Sequence, residues 1–151
     1  MSENNNMTAF KTKVAEAMSP MLDVFHSIGE APLHLVAYFY VQGCLERIVF
    51  SFGPTSLVVL ADEDDDTVAI SAVDTESLEI APESDVSHLP LWEPFIARPF
   101  GWGYAVVNQQ AYCDGLLLSF GDIRPKVLLQ VIASSIDVKA ISEFSPPSQS
   151  R

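Results

Sequence analysis

The sequence predicts an α+β fold in which an N-terminal helix packs on a mainly antiparallel β-sheet, either a sandwich or a partly closed barrel of two similar meanders. Apolar residues first recur at helical spacing, then come in short runs separated by turn residues, and a segment of the first half resembles one of the second. At 151 residues the chain fits one domain. We expect a polar leader at residues 1–7, a single domain at 8–144 and a disordered tail at 145–151.

The predicted helix covers residues 8–28. Its apolar residues recur three and four positions apart and form one stripe, made of Phe10, Val14, Met18, Met21, Leu22 and Phe25. Pro20 interrupts this pattern, and Ser19-Pro20 is also typical of a helix start, so one kinked helix and two short helices both fit. Gly29 ends the segment.

Eight strands are expected in two meanders, at residues 33–41, 45–52, 57–61, 67–73, 102–108, 116–120, 127–132 and 136–141. A further short strand could include Leu78 and Ile80. Residues 46–53 align without gaps on residues 114–121, which favours two similar halves in two layers, with the helix across one opening.

The segment 81–101 combines four prolines with large apolar side chains. It has too many prolines to pair as a regular strand. It is interpreted either as an irregular crossover that covers one end of the core or as a loop that binds a partner.

The charge distribution is strongly uneven. The net charge is -12, and between Arg47 and Arg98 there are eleven acidic residues but no Lys or Arg. Such a field disfavours nucleic acid and anionic membranes and attracts a basic protein surface. The candidate partner-binding carboxylates are Asp62, Glu63, Asp64, Asp65, Asp66, Asp74, Glu76, Glu79, Glu83 and Asp85.

Four aromatic residues, Trp92, Phe95, Trp102 and Tyr104, are candidate anchors for the same partner, because interface hot spots are rich in aromatic side chains. The alternative is that they fill the core.

The sequence predicts neither an enzyme nor a cofactor or metal site. The acidic run 62–66 is expected in a solvated turn, where every carboxylate stays ionised, and the three histidines are far apart in sequence. Cys44 and Cys113 do not form a CxxC pair and are expected to be free buried thiols. The polar N-terminus and the absence of a long apolar run favour a cytoplasmic protein.

Several segments resemble a family of small uncharacterised bacterial proteins. They are Trp102 to Gln110, Tyr112, Asp114, residues 132–136 and residues 65–68. Families of this kind resemble the immunity proteins of polymorphic and contact-delivered toxin systems. The resemblance implies a cytosolic domain without catalytic residues that blocks one cognate toxin.

We therefore expect a non-catalytic immunity protein that binds a basic toxin domain through an acidic face. The alternative is an acidic secretion chaperone for an exported effector. Such a chaperone is expected to be a dimer, and the sequence is compatible with a monomer or a homodimer.

Overall fold

The computed structural model describes residues 2–143 and begins with one helix, α1, at Ser2–Ser27. Pro20 lies inside this helix, so the alternative of two separate helices is wrong. Residues 2–7, the expected polar leader, belong to its first turns, and the expected tail at 145–151 lies outside the described residues. Within the described part of the chain, no helix is long and apolar enough to cross a membrane.

Two four-stranded antiparallel sheets follow the helix and confirm the α+β class. The first sheet contains β1 Leu33–Val41, β2 Cys44–Phe52, β3 Thr55–Asp62 and β4 Thr67–Asp74 in that order. The second contains β5 Phe100–Val107, β6 Cys113–Phe120, β7 Val127–Ile132 and β8 Ser135–Ala140. All eight expected strands are present, whereas Leu78 and Ile80 lie in an irregular segment after a short 3-10 turn at Thr75–Ser77.

The two sheets are related by an approximate internal symmetry. Each is a meander, β8 packs across β2, and β4 packs across β6 in the equivalent way. Gly53 and Gly121, which follow the second strand of each sheet, both have positive φ, at 63° and 81°. The aligned segments 46–53 and 114–121 therefore occupy corresponding places in the two layers.

The core lies between the inner faces of the two sheets. Its fully buried members include Ile48, Phe50, Phe52, Leu57, Leu116, Leu118 and Phe120. Helix α1 closes one side of it through the buried Met21, and Ile28, directly after the helix, is buried in the same core. Gly103 lies directly beneath α1, where an added Cβ would overlap the ring of Phe25.

The proline-rich segment between the sheets covers the core. Trp92 has no exposed surface, and its indole Nε1 donates a hydrogen bond to the Tyr38 hydroxyl at 2.7 Å. Phe95 stacks on Phe120 with ring centroids 4.7 Å apart. These contacts agree with the interpretation of this segment as an irregular crossover that covers the core.

Candidate functional site

The acidic residues are distributed around the first sheet. Residues 62–66 form the turn between β3 and β4, whereas Asp74 is the last residue of β4 and Glu76 follows it. An eight-residue strand separates these groups by roughly 23 Å. They therefore lie at opposite ends of β4.

The remaining candidates lie on the segment that leads from β4 towards β1. Glu79 and Glu83 are exposed, and Asp85 forms an isolated bridge with Ala37 of β1. Hydrogen bonds from the Ser87 hydroxyl and backbone N–H lower the pKa of the Asp85 carboxyl. The candidate carboxylates are therefore spread over both ends of β4 and the segment that follows it, and they are densest in the β3–β4 turn.

This turn, residues 62–66, is called the acidic hairpin below. Three of its carboxylates bind backbone N–H groups: Asp62 that of Asp64, Asp65 that of Thr67, and Asp66 that of Ser134. The last bond, at 2.8 Å, joins the acidic hairpin to the β7–β8 turn. Glu63 and Asp64 are exposed at the tip.

A groove of about 350 Å³ lies beside the acidic hairpin, between α1, β4 and the start of β6. Its lining residues are Lys13, Pro20, Met21, Asp65, Thr67, Val68, Ala69, Ile70, Ala111, Tyr112 and Cys113. Most of them are apolar, and Met21, Val68, Ala111 and Cys113 are buried. An open apolar groove of this size can receive an apolar side chain of a partner.

Two charged groups border the groove. Asp65 belongs to the acidic hairpin, so the hairpin and the groove form one continuous surface. Lys13 of α1 also lines the groove, and its ammonium lies over the Tyr112 ring, 4.4 Å from the centroid. This cation–π contact holds the lysine against the groove wall.

The thiol in the groove is poorly suited to nucleophilic chemistry. Burial raises the pKa of Cys113, and its Sγ donates to the Gly115 carbonyl at 3.4 Å. A protonated thiol is a weak nucleophile. Both cysteines are free, but only Cys113 is buried; the expectation of burial is wrong for Cys44, which is exposed in the β1–β2 hairpin.

The four candidate anchors separate into two pairs. Trp92 is fully buried and Phe95 packs against the core, so a partner cannot reach the Trp92 ring in this conformation. Trp102 is 57% exposed and stacks on Tyr104 with centroids 6.4 Å apart. This second pair lies on the outer face of the second sheet, near Ser119 at the end of β6, and away from the end that meets the acidic hairpin.

Among residues 2–143, no three His, Cys, Asp or Glu side chains come close enough together to hold a metal ion. The acidic hairpin itself spreads its carboxylates over separate backbone hydrogen bonds.

The groove was missed at the sequence level. Lys13, Ile70 and Tyr112 come from three different elements, and nothing in their local sequences shows that they meet. Pro20 also lines the groove, although its place in the sequence indicates only an interruption of the helical pattern.

Residues 18–145 match a family of unknown function, DUF6334. The chain belongs to this family. The matched region includes all eight strands, the acidic hairpin and most of the groove, while Lys13 lies outside it. No curated protein and no solved structure matches the chain significantly. This match confirms the expectation that the chain belongs to an uncharacterised family.

Proposed function

We propose that this DUF6334 protein is a non-catalytic binding protein that captures a basic protein partner, in the manner of an immunity protein that blocks a toxin. The observation that carries the proposal is the continuity of the apolar groove with the acidic hairpin through Asp65. Protein interfaces commonly combine a desolvated apolar centre with a charged rim.

The two parts of this surface have different roles. The exposed Glu63 and Asp64 attract a cationic surface before contact, and steering of this kind raises association rates by roughly 10- to 1,000-fold at low salt. The groove then buries an apolar side chain of the partner, which slows dissociation.

The acidic hairpin is organised before it meets a partner. Its bond from the Ser134 N–H to Asp66 fixes it against the second sheet, and Asp62 and Asp65 close the turn locally. A binding surface that is already ordered loses less conformational entropy on association. Within the groove Lys13 repels a basic partner and Asp65 attracts it, which favours approach from the side of the acidic hairpin.

The test compares three forms of the chain as baits in bacterial lysate: wild type, Glu63→Lys with Asp64→Lys, and Asp74→Lys with Glu76→Lys. Both double variants change the net charge equally, and all four side chains are exposed. Retained proteins are identified by mass spectrometry at about 50 and about 300 mM salt. The partner is then expressed alone and together with the chain.

We expect one basic protein to be retained by wild type and by the Asp74/Glu76 variant, lost with the hairpin variant, and released by salt. If it is toxic alone and harmless with the chain, the immunity function is supported. Equal retention by all three baits would refute the proposed site. An exported protein held unfolded would support the secretion chaperone instead.

A further inference from the structure

We propose that the outer face of the second sheet is the interface of a homodimer. This face, called the open face below, carries a row of three paired residues, Tyr104, Leu117 and Leu128, and is bordered by Trp102 and Ile123. The row is partly exposed, and the two bordering residues are 57% and 58% exposed.

The first sheet has an equivalent row of three paired residues on its outer face, and there the row is largely covered. Ala37, Val49 and Val58 are paired in the same way across β1, β2 and β3. Val49 corresponds to Leu117 in the aligned segments, and Ala37 corresponds to Tyr104. Ala37 is 0% and Val49 1% exposed, although neither belongs to the central core cluster.

The chain itself supplies this cover. After β4, the Thr75 hydroxyl bonds that of Ser56 at 2.8 Å, on the outer face of the first sheet. Ten residues later, Asp85 pairs with Ala37 at the opposite edge. Residues 76–84 therefore cross the outer face from one edge to the other.

The centre of the open face is apolar and already ordered, whereas Gln130, Asp137 and Lys139 on the same face are polar. The Tyr104 hydroxyl donates to the Ile123 carbonyl at 2.6 Å, which holds the ring in place, and Trp102 stacks on that ring. At the β8 edge, Lys139 and Asp137 form an exposed ion pair at 3.2 Å. The surface thus has an aromatic edge, an aliphatic centre and a polar edge, and an apolar centre with a polar rim is typical of protein interfaces.

Charge indicates a second copy as the occupant. Residues 98–143 contain four basic and four acidic residues, whereas the rest of the chain carries the entire net charge of -12. Two copies repel each other over most of their surfaces, and the neutral second sheet is where they can meet with the least repulsion.

The size of the face sets the strength of the dimer. Four strands about 4.8 Å apart and six residues long offer about 400 Å² per copy. A stable complex buries about 800 Å² per partner. We therefore expect a weak dimer, with a dissociation constant in the micromolar range, that strengthens with salt because salt screens the repulsion between two acidic chains.

The experiment is sedimentation equilibrium of the full chain from about 1 to about 200 µM at low and moderate salt. The variants are Trp102→Glu and Ile123→Glu on the open face. Leu60→Glu on the first sheet is the matched control, since Leu60 is also exposed, at 37%, and gives the same charge change. Thermal unfolding verifies that each variant is folded.

We expect wild type and Leu60→Glu to approach twice the 16.5 kDa chain mass at high concentration, with tighter association at higher salt. Each open-face variant should dissociate at least tenfold more readily. A wild-type chain that stays monomeric, or a Leu60→Glu variant that is weakened equally, would overturn the proposal. Binding of the basic partner has the opposite salt dependence and uses other residues, so the two proposals can fail separately.

Discussion

The rings of Phe52 and Phe120 stack with their centroids 6.4 Å apart and their planes 18° from parallel. The two residues occupy equivalent positions at the ends of the second strands of the two sheets. This pair therefore joins the layers at their internal symmetry axis.

Replacing either phenylalanine by leucine should weaken the packing between the two sheets. Phe52→Leu and Phe120→Leu are each expected to lower the free energy of unfolding by about 1–2 kcal/mol, because each leaves a void among fully buried side chains. Phe120→Leu should cost more, since Phe95 also stacks on this ring. Urea unfolding measures both, and Phe10→Leu on the exposed part of α1 is the control. Equal stability of all three variants would contradict the packing described.

Substitution of the buried Trp92 should destabilise the protein, whereas substitution of the exposed Trp102 should not. Trp92→Phe is expected to cost about 2–3 kcal/mol, because it removes buried ring volume and the hydrogen bond to the Tyr38 hydroxyl. Trp102→Phe should change stability by less than about 0.5 kcal/mol. Fluorescence adds a second measurement: acrylamide should quench the emission that remains in Trp92→Phe far more than that in Trp102→Phe. Similar quenching in both would show that Trp92 is not buried.

Asp85 should contribute a pH-dependent part of the stability. Ser87 lowers the pKa of this carboxyl in the folded state, so its stabilising effect is present above the ordinary value of 3.8 and is lost as the pH falls through the lowered value. Asp85→Asn should therefore be less stable than wild type at pH 7 and equal to it once the carboxyl is protonated. Urea unfolding across this range tests the sign, and a difference that grows towards low pH would contradict it.

Ala97 has a positive φ of 74° and an exposed side chain. Because L-residues are strained in this conformation, Ala97→Gly should stabilise the fold by about 0.5 kcal/mol, after the greater entropy of glycine in the unfolded chain is subtracted. The matched control is Ala69→Gly on β4, where the same change should be destabilising. Thermal unfolding measures both, and a loss of stability in Ala97→Gly would mean that the strain is absent.

Local patterns predicted the fold well and the site only in part. Alternating and continuous apolar runs are properties of neighbouring residues, so all eight strands could be placed from the sequence. The groove depends on the meeting of Lys13, Asp65 and Tyr112, which no local pattern encodes. Trp92 was ambiguous because a buried aromatic anchor and a core residue have the same sequence signature, and only its zero exposure separates them.

The sequential order of the strands in each sheet determines which parts of the protein can fold first. Every pairing within a sheet joins neighbours along the chain, so each meander can form rapidly from short loops. The apolar inner face of the first meander, however, is fully covered only when residues 100–140 arrive, because α1 and Trp92 cover only part of it. During synthesis from the N-terminus, the first meander therefore passes through a stage in which that face is exposed, and this is the stage most vulnerable to aggregation.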